Sequence, residues 1–93
     1  MGRTMSAREE AAFVCSHVFN DTRPVLLVAR ENGDWMYLCG RPHASTERYE
    51  VVGREHLLQR DPTLAGTADL SDQMEAERSA VGSDWVRRRL LPE

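Results

Sequence analysis

Apolar positions in this chain fall into short runs separated by turn-forming residues, and most runs alternate with the period of a strand. Two of them, Val25–Ala29 and Trp35–Cys39, flank Asn32-Gly33. Asn-Gly between apolar runs is the strongest short-range mark of a hairpin, because a type I′ turn demands positive φ at both central residues. A two-residue turn there sets the register: Glu31 faces Asp34, Arg30 faces Trp35, Val28 faces Tyr37 and Leu26 faces Cys39. Val25, Leu27, Ala29, Met36 and Leu38 then share one face, the expected core side. Leu26, Val28, Tyr37 and Cys39 share the other, where Arg30 is placed to stack on Trp35.

Upstream, Phe13–Phe19 also alternates and predicts a first strand, paired antiparallel to the second through a turn at Asn20–Pro24. Ser6-Ala7-Arg8-Glu9 fits a capping box, so residues 6–12 are either a short helix or a frayed end. Downstream, Gly40–Glu47 reads as a loop and Tyr49–Val52 as a short strand. Arg54–Arg60 predicts a helix of about two turns that stops at Asp61-Pro62, since a residue before proline avoids the α region. Asp61 then caps a further short turn that starts at Pro62, aiming Leu64 back toward Leu57 over the core face. Asp69–Arg89 has two readings. It is a helix capped by Ser71 or Asp72, or two strands over Gln73–Ser79 and Asp84–Arg88; Arg87–Glu93 is expected to be a solvated tail.

Composition narrows the class. Ninety-three residues with 41% hydrophobic and 29% charged side chains predict one α+β domain over residues 13–89, between an N-terminal segment (1–12) and a tail (90–93). The fold expected is a small antiparallel sheet, a meander around the Asn-Gly hairpin, with a short helical segment on one face. All twelve basic residues are arginine and isoleucine is absent, the codon signature of a GC-rich genome and so of a bacterial source. A net charge of −3 argues against nucleic acid as a partner, although Trp85 and Arg87–Arg89 form a small basic cluster. No apolar stretch approaches the length that spans a bilayer, and two cysteines are too few for a disulfide scaffold, which together predict a cytoplasmic protein with free thiols.

Six pieces, Cys15-x-His17-Val18, Arg23-Pro24-Val25-Leu26, Trp35-x-x-Leu38-Cys39-Gly40, Val51-Val52, Leu57-Leu58 and Asp61-Pro62-x-Leu64, make the sequence resemble a bacterial family of unknown function. Some of its members are predicted immunity proteins of polymorphic toxin systems. The resemblance covers roughly residues 14–88 and implies a compact α+β domain that binds a toxin-like protein partner, with strands rather than a helix over residues 73–88. It brings no catalytic residue, metal ligand or cofactor. The loop at Arg41–Arg48 is shorter than the acidic insertion the family leads one to expect.

Few side chains carry chemistry. Cys15-x-His17 and Cys39-x-x-x-His43 offer four zinc-type ligands, but not at the spacing of a finger or ribbon. A three-strand meander also separates Cys15 from Cys39 by two strands, beyond the reach of a shared ion or a disulfide, so buried packing is their ordinary role. The same placement counts against a cysteine nucleophile working with His17, His43 or His56. Glu9-Glu10 and Glu75-x-Glu77 read as solvated surface. What remains is a candidate partner surface at Arg30, Trp35 and Tyr37, on the face expected to be less buried unless the C-terminal segment covers it. The sequence thus predicts a non-enzymatic protein-binding module without cofactor, with a small cysteine–histidine enzyme or a zinc module as alternatives.

Overall fold

The computed structural model describes residues 10–40 and 49–90. Six strands form one sheet: β1 (Ala11–Val14), β2 (Leu27–Glu31), β3 (Asp34–Leu38), β4 (Glu50–Gly53), β5 (Met74–Glu77) and β6 (Val86–Arg89). Their order across the sheet is β4-β1-β3-β2-β5-β6. Helix α1 (Ser16–Phe19) follows β1, while α2 (Arg54–Arg60) and a 3-10 helix (Pro62–Thr67) follow β4. The fold is therefore α+β, as the sequence predicts.

The β2–β3 hairpin forms in the expected register, with Glu31 opposite Asp34, Arg30 opposite Trp35 and Val28 opposite Tyr37. Both turn residues take positive φ, Asn32 at 54° and Gly33 at 86°, as a type I′ turn requires. Helix α2 ends where proline predicts, and Asp61 caps the 3-10 helix by accepting from the Thr63 amide. Leu57 and Leu64 enter the same core.

Three expectations need correction. First, the strand expected over Phe13–Phe19 starts two residues earlier, at Ala11, and ends at Val14, while Ser16–Phe19 coils into α1. It pairs not with β2 but with β3, parallel, setting Val14 beside Tyr37, and antiparallel with β4 on its other side. The remaining pairings are antiparallel. The stretch Cys15–Leu26 is longer than a hairpin needs, and it carries the chain past β3 to β2.

Second, the buried face of the hairpin is the opposite one. Val28, Trp35 and Tyr37 join Ala12, Val14 and Ala76 from neighbouring strands, and Leu57, Leu64 and Leu70 cover them. On the other face Val25 also joins the core and Ala29 is buried, but Leu27, Met36 and Leu38 are only half-buried. Both faces are apolar at sequence level; the choice falls to the side whose neighbours supply small residues for the helices to pack on.

Third, of the two readings of residues 69–89 it is the strands that form, as β5 and β6, and β6 takes in Arg87–Arg89, which were expected to open a solvated tail. Gln73 sits at φ 66°, which no helix tolerates, and its amide donates to the Arg30 carbonyl at 2.7 Å. Pairing with β2 overrides the helix propensity of Met74–Glu77. Of the N-terminal segment expected over residues 1–12, Ala11 and Ala12 belong to β1; residues 1–9, 41–48 and 91–93 lie outside the described residues, as does His43.

Arg78, just beyond β5, locks the C-terminal hairpin to the helical layer. Its side chain is fully buried, donates to the Val25 carbonyl through Nε and Nη2, and reaches Thr63 Oγ1 at 2.8 Å and Asp61 Oδ2 at 3.0 Å. The guanidinium lies 4.2 Å over the Trp85 ring. Burial alone would raise the Asp61 pKa, but hydrogen bonds from Thr63 and Arg78 outweigh it and hold the carboxyl below its ordinary value.

Candidate metal centre

The chemistry-bearing side chains converge where β1 and β3 end side by side. Cys15 follows β1 with an extended backbone and accepts the Phe19 amide at its carbonyl, opening α1. His17 lies two residues on. Its carbonyl accepts from the Thr22 amide at 2.9 Å, the Arg23 amide at 3.3 Å and Thr22 Oγ1 at 3.2 Å. Three donors on one oxygen fix the backbone that carries the imidazole. Asp21, at φ 59°, makes the reversal that brings them there; aspartate is among the few residues that visit this region readily.

Cys39 arrives from the other side, directly after β3, whose last carbonyl accepts the Leu26 amide. Gly40 then turns the chain away at φ 79°, a left-handed conformation that strains any residue with a Cβ.

The outcome is a Cys15–His17–Cys39 cluster whose ligand atoms all lie within 4.8 Å of one another. Cys39 Sγ is 3.6 Å from His17 Nδ1. Both thiols are buried and the imidazole is half-buried. With Zn–S near 2.3 Å and Zn–N near 2.0–2.1 Å, a tetrahedral ion holds sulfur and nitrogen about 3.5 Å apart and two sulfurs about 3.8 Å apart. The observed sulfur–nitrogen distance already fits that edge, and the widest separation needs to close by about 1.3 Å at most. Two thiolates and an imidazole are a borderline-soft donor set that suits zinc.

The expectation that two strands separate the cysteines is thus overturned. It assumed the order β1-β2-β3; the parallel pairing of β1 with β3 makes the two cysteine-bearing strands neighbours. The length of the Cys15–Leu26 connection was the available signal. Of the other histidines, His56 is exposed on α2, outside the cluster.

The predicted partner surface does not exist as a surface. Trp35 is 4% exposed and Tyr37 fully buried, because α2 lies on this face. The Arg30 guanidinium lies 4.5 Å from the Trp35 ring centroid, as expected, but Arg54 stacks on the same ring at 4.1 Å. Trp35 and Tyr37 stack at 5.9 Å, and the Tyr37 hydroxyl accepts from Arg54 Nε at 2.7 Å. Burial pushes the Tyr37 phenol pKa up, against the opposing pull of that hydrogen bond and the Arg54 charge. These residues form an interior column.

Most of the remaining charged candidates are engaged. Glu10 pairs with Arg54, Arg87 with Asp69, and Glu75 and Glu77 both grip Arg88 across the β5–β6 ladder. Glu9 lies outside the described residues. Cys39 also lines a cavity of about 250 Å³, together with Arg23, Pro24, Leu26, Ser79, Ala80 and Val81. Among the described residues no helix is long and apolar enough to cross a membrane. No protein-family model, curated protein or solved structure matches the chain.

Proposed function

We propose that this chain is a small non-enzymatic metal-binding module in which Cys15, His17 and Cys39 hold a zinc ion. One observation carries it: three ligand atoms from two separate stretches of sequence lie within 4.8 Å of one another at the paired ends of β1 and β3. The described donors fill three of the four positions of a tetrahedral site. Zinc held there ties α1 and β1 to the end of the central hairpin, and its binding energy adds to folding stability by mass action. Metal analysis of untagged protein purified under reducing conditions tests this, with an expected content of one zinc per chain. Replacement by cobalt should give a thiolate-to-cobalt charge-transfer band, lost in Cys15→Ser and Cys39→Ser. A reduced, folded chain that takes up neither metal on reconstitution refutes the proposal.

A second reading, an immunity-type module that binds a toxin-like protein, draws on the sequence resemblance and on the open side of the sheet. There the half-buried Phe13 and Met36 continue in one row from Val51, which is 59% exposed. Co-expression with a toxin encoded by a neighbouring gene tests it: protection of the cell, lost in Val51→Arg, is the expected result. Failure to protect against or bind that toxin would count against it.

A further inference from the structure

The geometry points to a second chemistry at the same place: Cys15 and Cys39 form a peroxide-oxidisable pair, in which Cys39 is attacked first and Cys15 resolves it into an intramolecular disulfide. Neither sulfur is in a disulfide, and the two lie within 4.8 Å of each other. Carrying the β1–β3 register one step past the strand ends sets Cys15 opposite Leu38, one residue from Cys39. Neighbouring strands are about 4.8 Å apart and residues rise about 3.3 Å, which places the two α-carbons about 6 Å apart. That lies within the span a disulfide bridges without backbone movement.

The order of attack follows from access. Both thiols are buried, Cys15 at 0% and Cys39 at 1% exposure, but Cys39, unlike Cys15, lines the 250 Å³ cavity bounded by Arg23 and Ser79. A hydroperoxide is small enough to enter. In the first step the Cys39 sulfur bonds to a peroxide oxygen as the O–O bond breaks, and the thiol proton leaves with the departing hydroxide as water. In the second, the Cys15 sulfur bonds to the Cys39 sulfur as its S–O bond breaks, and a second water departs with the Cys15 proton. Two thiols lose two electrons, and one hydrogen peroxide becomes two waters.

Oxidation removes both sulfur ligands at once, so in the zinc-loaded protein it should eject the ion. That consequence rests on the zinc reading, whereas the disulfide needs only the thiols.

The test is exposure of full-length reduced protein to hydrogen peroxide, with and without bound zinc. Intact mass should fall by about 2 Da as the disulfide forms. In the loaded protein, a chromophoric chelator should register one zinc released per disulfide. Dimedone should label Cys39 in Cys15→Ser, and label Cys15 in Cys39→Ser at least tenfold more slowly. Differential alkylation of the wild-type chain over time gives the same order without any variant. Labelling of Cys15 first, or oxidation to sulfinic acid without an intramolecular disulfide, overturns the inference. A chain that forms the disulfide but binds no zinc leaves the inference standing and removes the metal reading; a chain that binds zinc but forms no disulfide does the reverse.

Discussion

Arg78→Met is the most informative single change in the structural core. Methionine keeps much of the aliphatic stem and deletes the guanidinium, which is fully buried in the native state. The Val25 carbonyl then loses both of its arginine donors. A buried acceptor left unsatisfied costs roughly 1–3 kcal/mol. Asp61 and Thr63 lose a partner too, but the Asp61 side chain is 22% exposed and recovers water. Its share therefore falls at or below the low end of the ~3–5 kcal/mol seen when a buried pair is broken. Stacking on Trp85 adds about 0.5–2 kcal/mol. These contributions overlap, and the combined loss should be about 3 kcal/mol, a large part of the roughly 5–15 kcal/mol that holds a domain of this size. Urea unfolding followed by tryptophan fluorescence reads it directly, with metal and redox state held constant and an unchanged m-value as the check on two-state behaviour. A midpoint shift worth less than about 1 kcal/mol would falsify the claim that Arg78 pins the C-terminal hairpin to the helical layer.

Three further outcomes are expected. Gly33→Ala meets no atom within 4 Å, so its cost is backbone alone, about 1–2 kcal/mol for a left-handed alanine; thermal unfolding should register that loss, and none if the turn relaxes. Tyr37→Phe removes the acceptor for Arg54 Nε inside the core and should cost about 1–2 kcal/mol, with the Arg54 double mutant revealing the coupling. The Asp61 carboxyl is held below its ordinary pKa in the folded state, so its contribution is present above the unfolded value and disappears as pH falls through the folded one. Wild-type stability should thus decline below about pH 4 more steeply than that of Asp61→Asn, and parallel acid-unfolding curves would contradict this.

Local chemistry in the sequence was sufficient for some elements. Asn32-Gly33 dictated a turn type and hence every cross-strand pair of the hairpin, and Asp61-Pro62 dictated where α2 stops. Neighbour relations were another matter. Period-2 alternation in Phe13–Phe19 says which residues share a face, not which strand lies alongside, and the candidate centre depended on that second fact. Cys15, His17 and Cys39 were visible as ligand types and were set aside because the meander kept them apart. The core face was misjudged for a related reason: Leu27 and Val28 are equally apolar, and only Ala12 and Ala76 on adjacent strands, with Arg54 above, decide between them. In Met74–Glu77 the β2 edge outweighed local preference, which no window of sequence contains.

The position of β1 bears on how the molecule is made. A ribosome releases that strand before either of its two hydrogen-bonding neighbours, which begin only at Asp34 and Glu50. In the meantime the central hairpin has all it needs to close. Synthesis order and closing order therefore differ: β1 slots home late, between partners made after it. Such dependence on distant contacts slows folding, and Cys15 stays open to unwanted oxidation until the strand has docked.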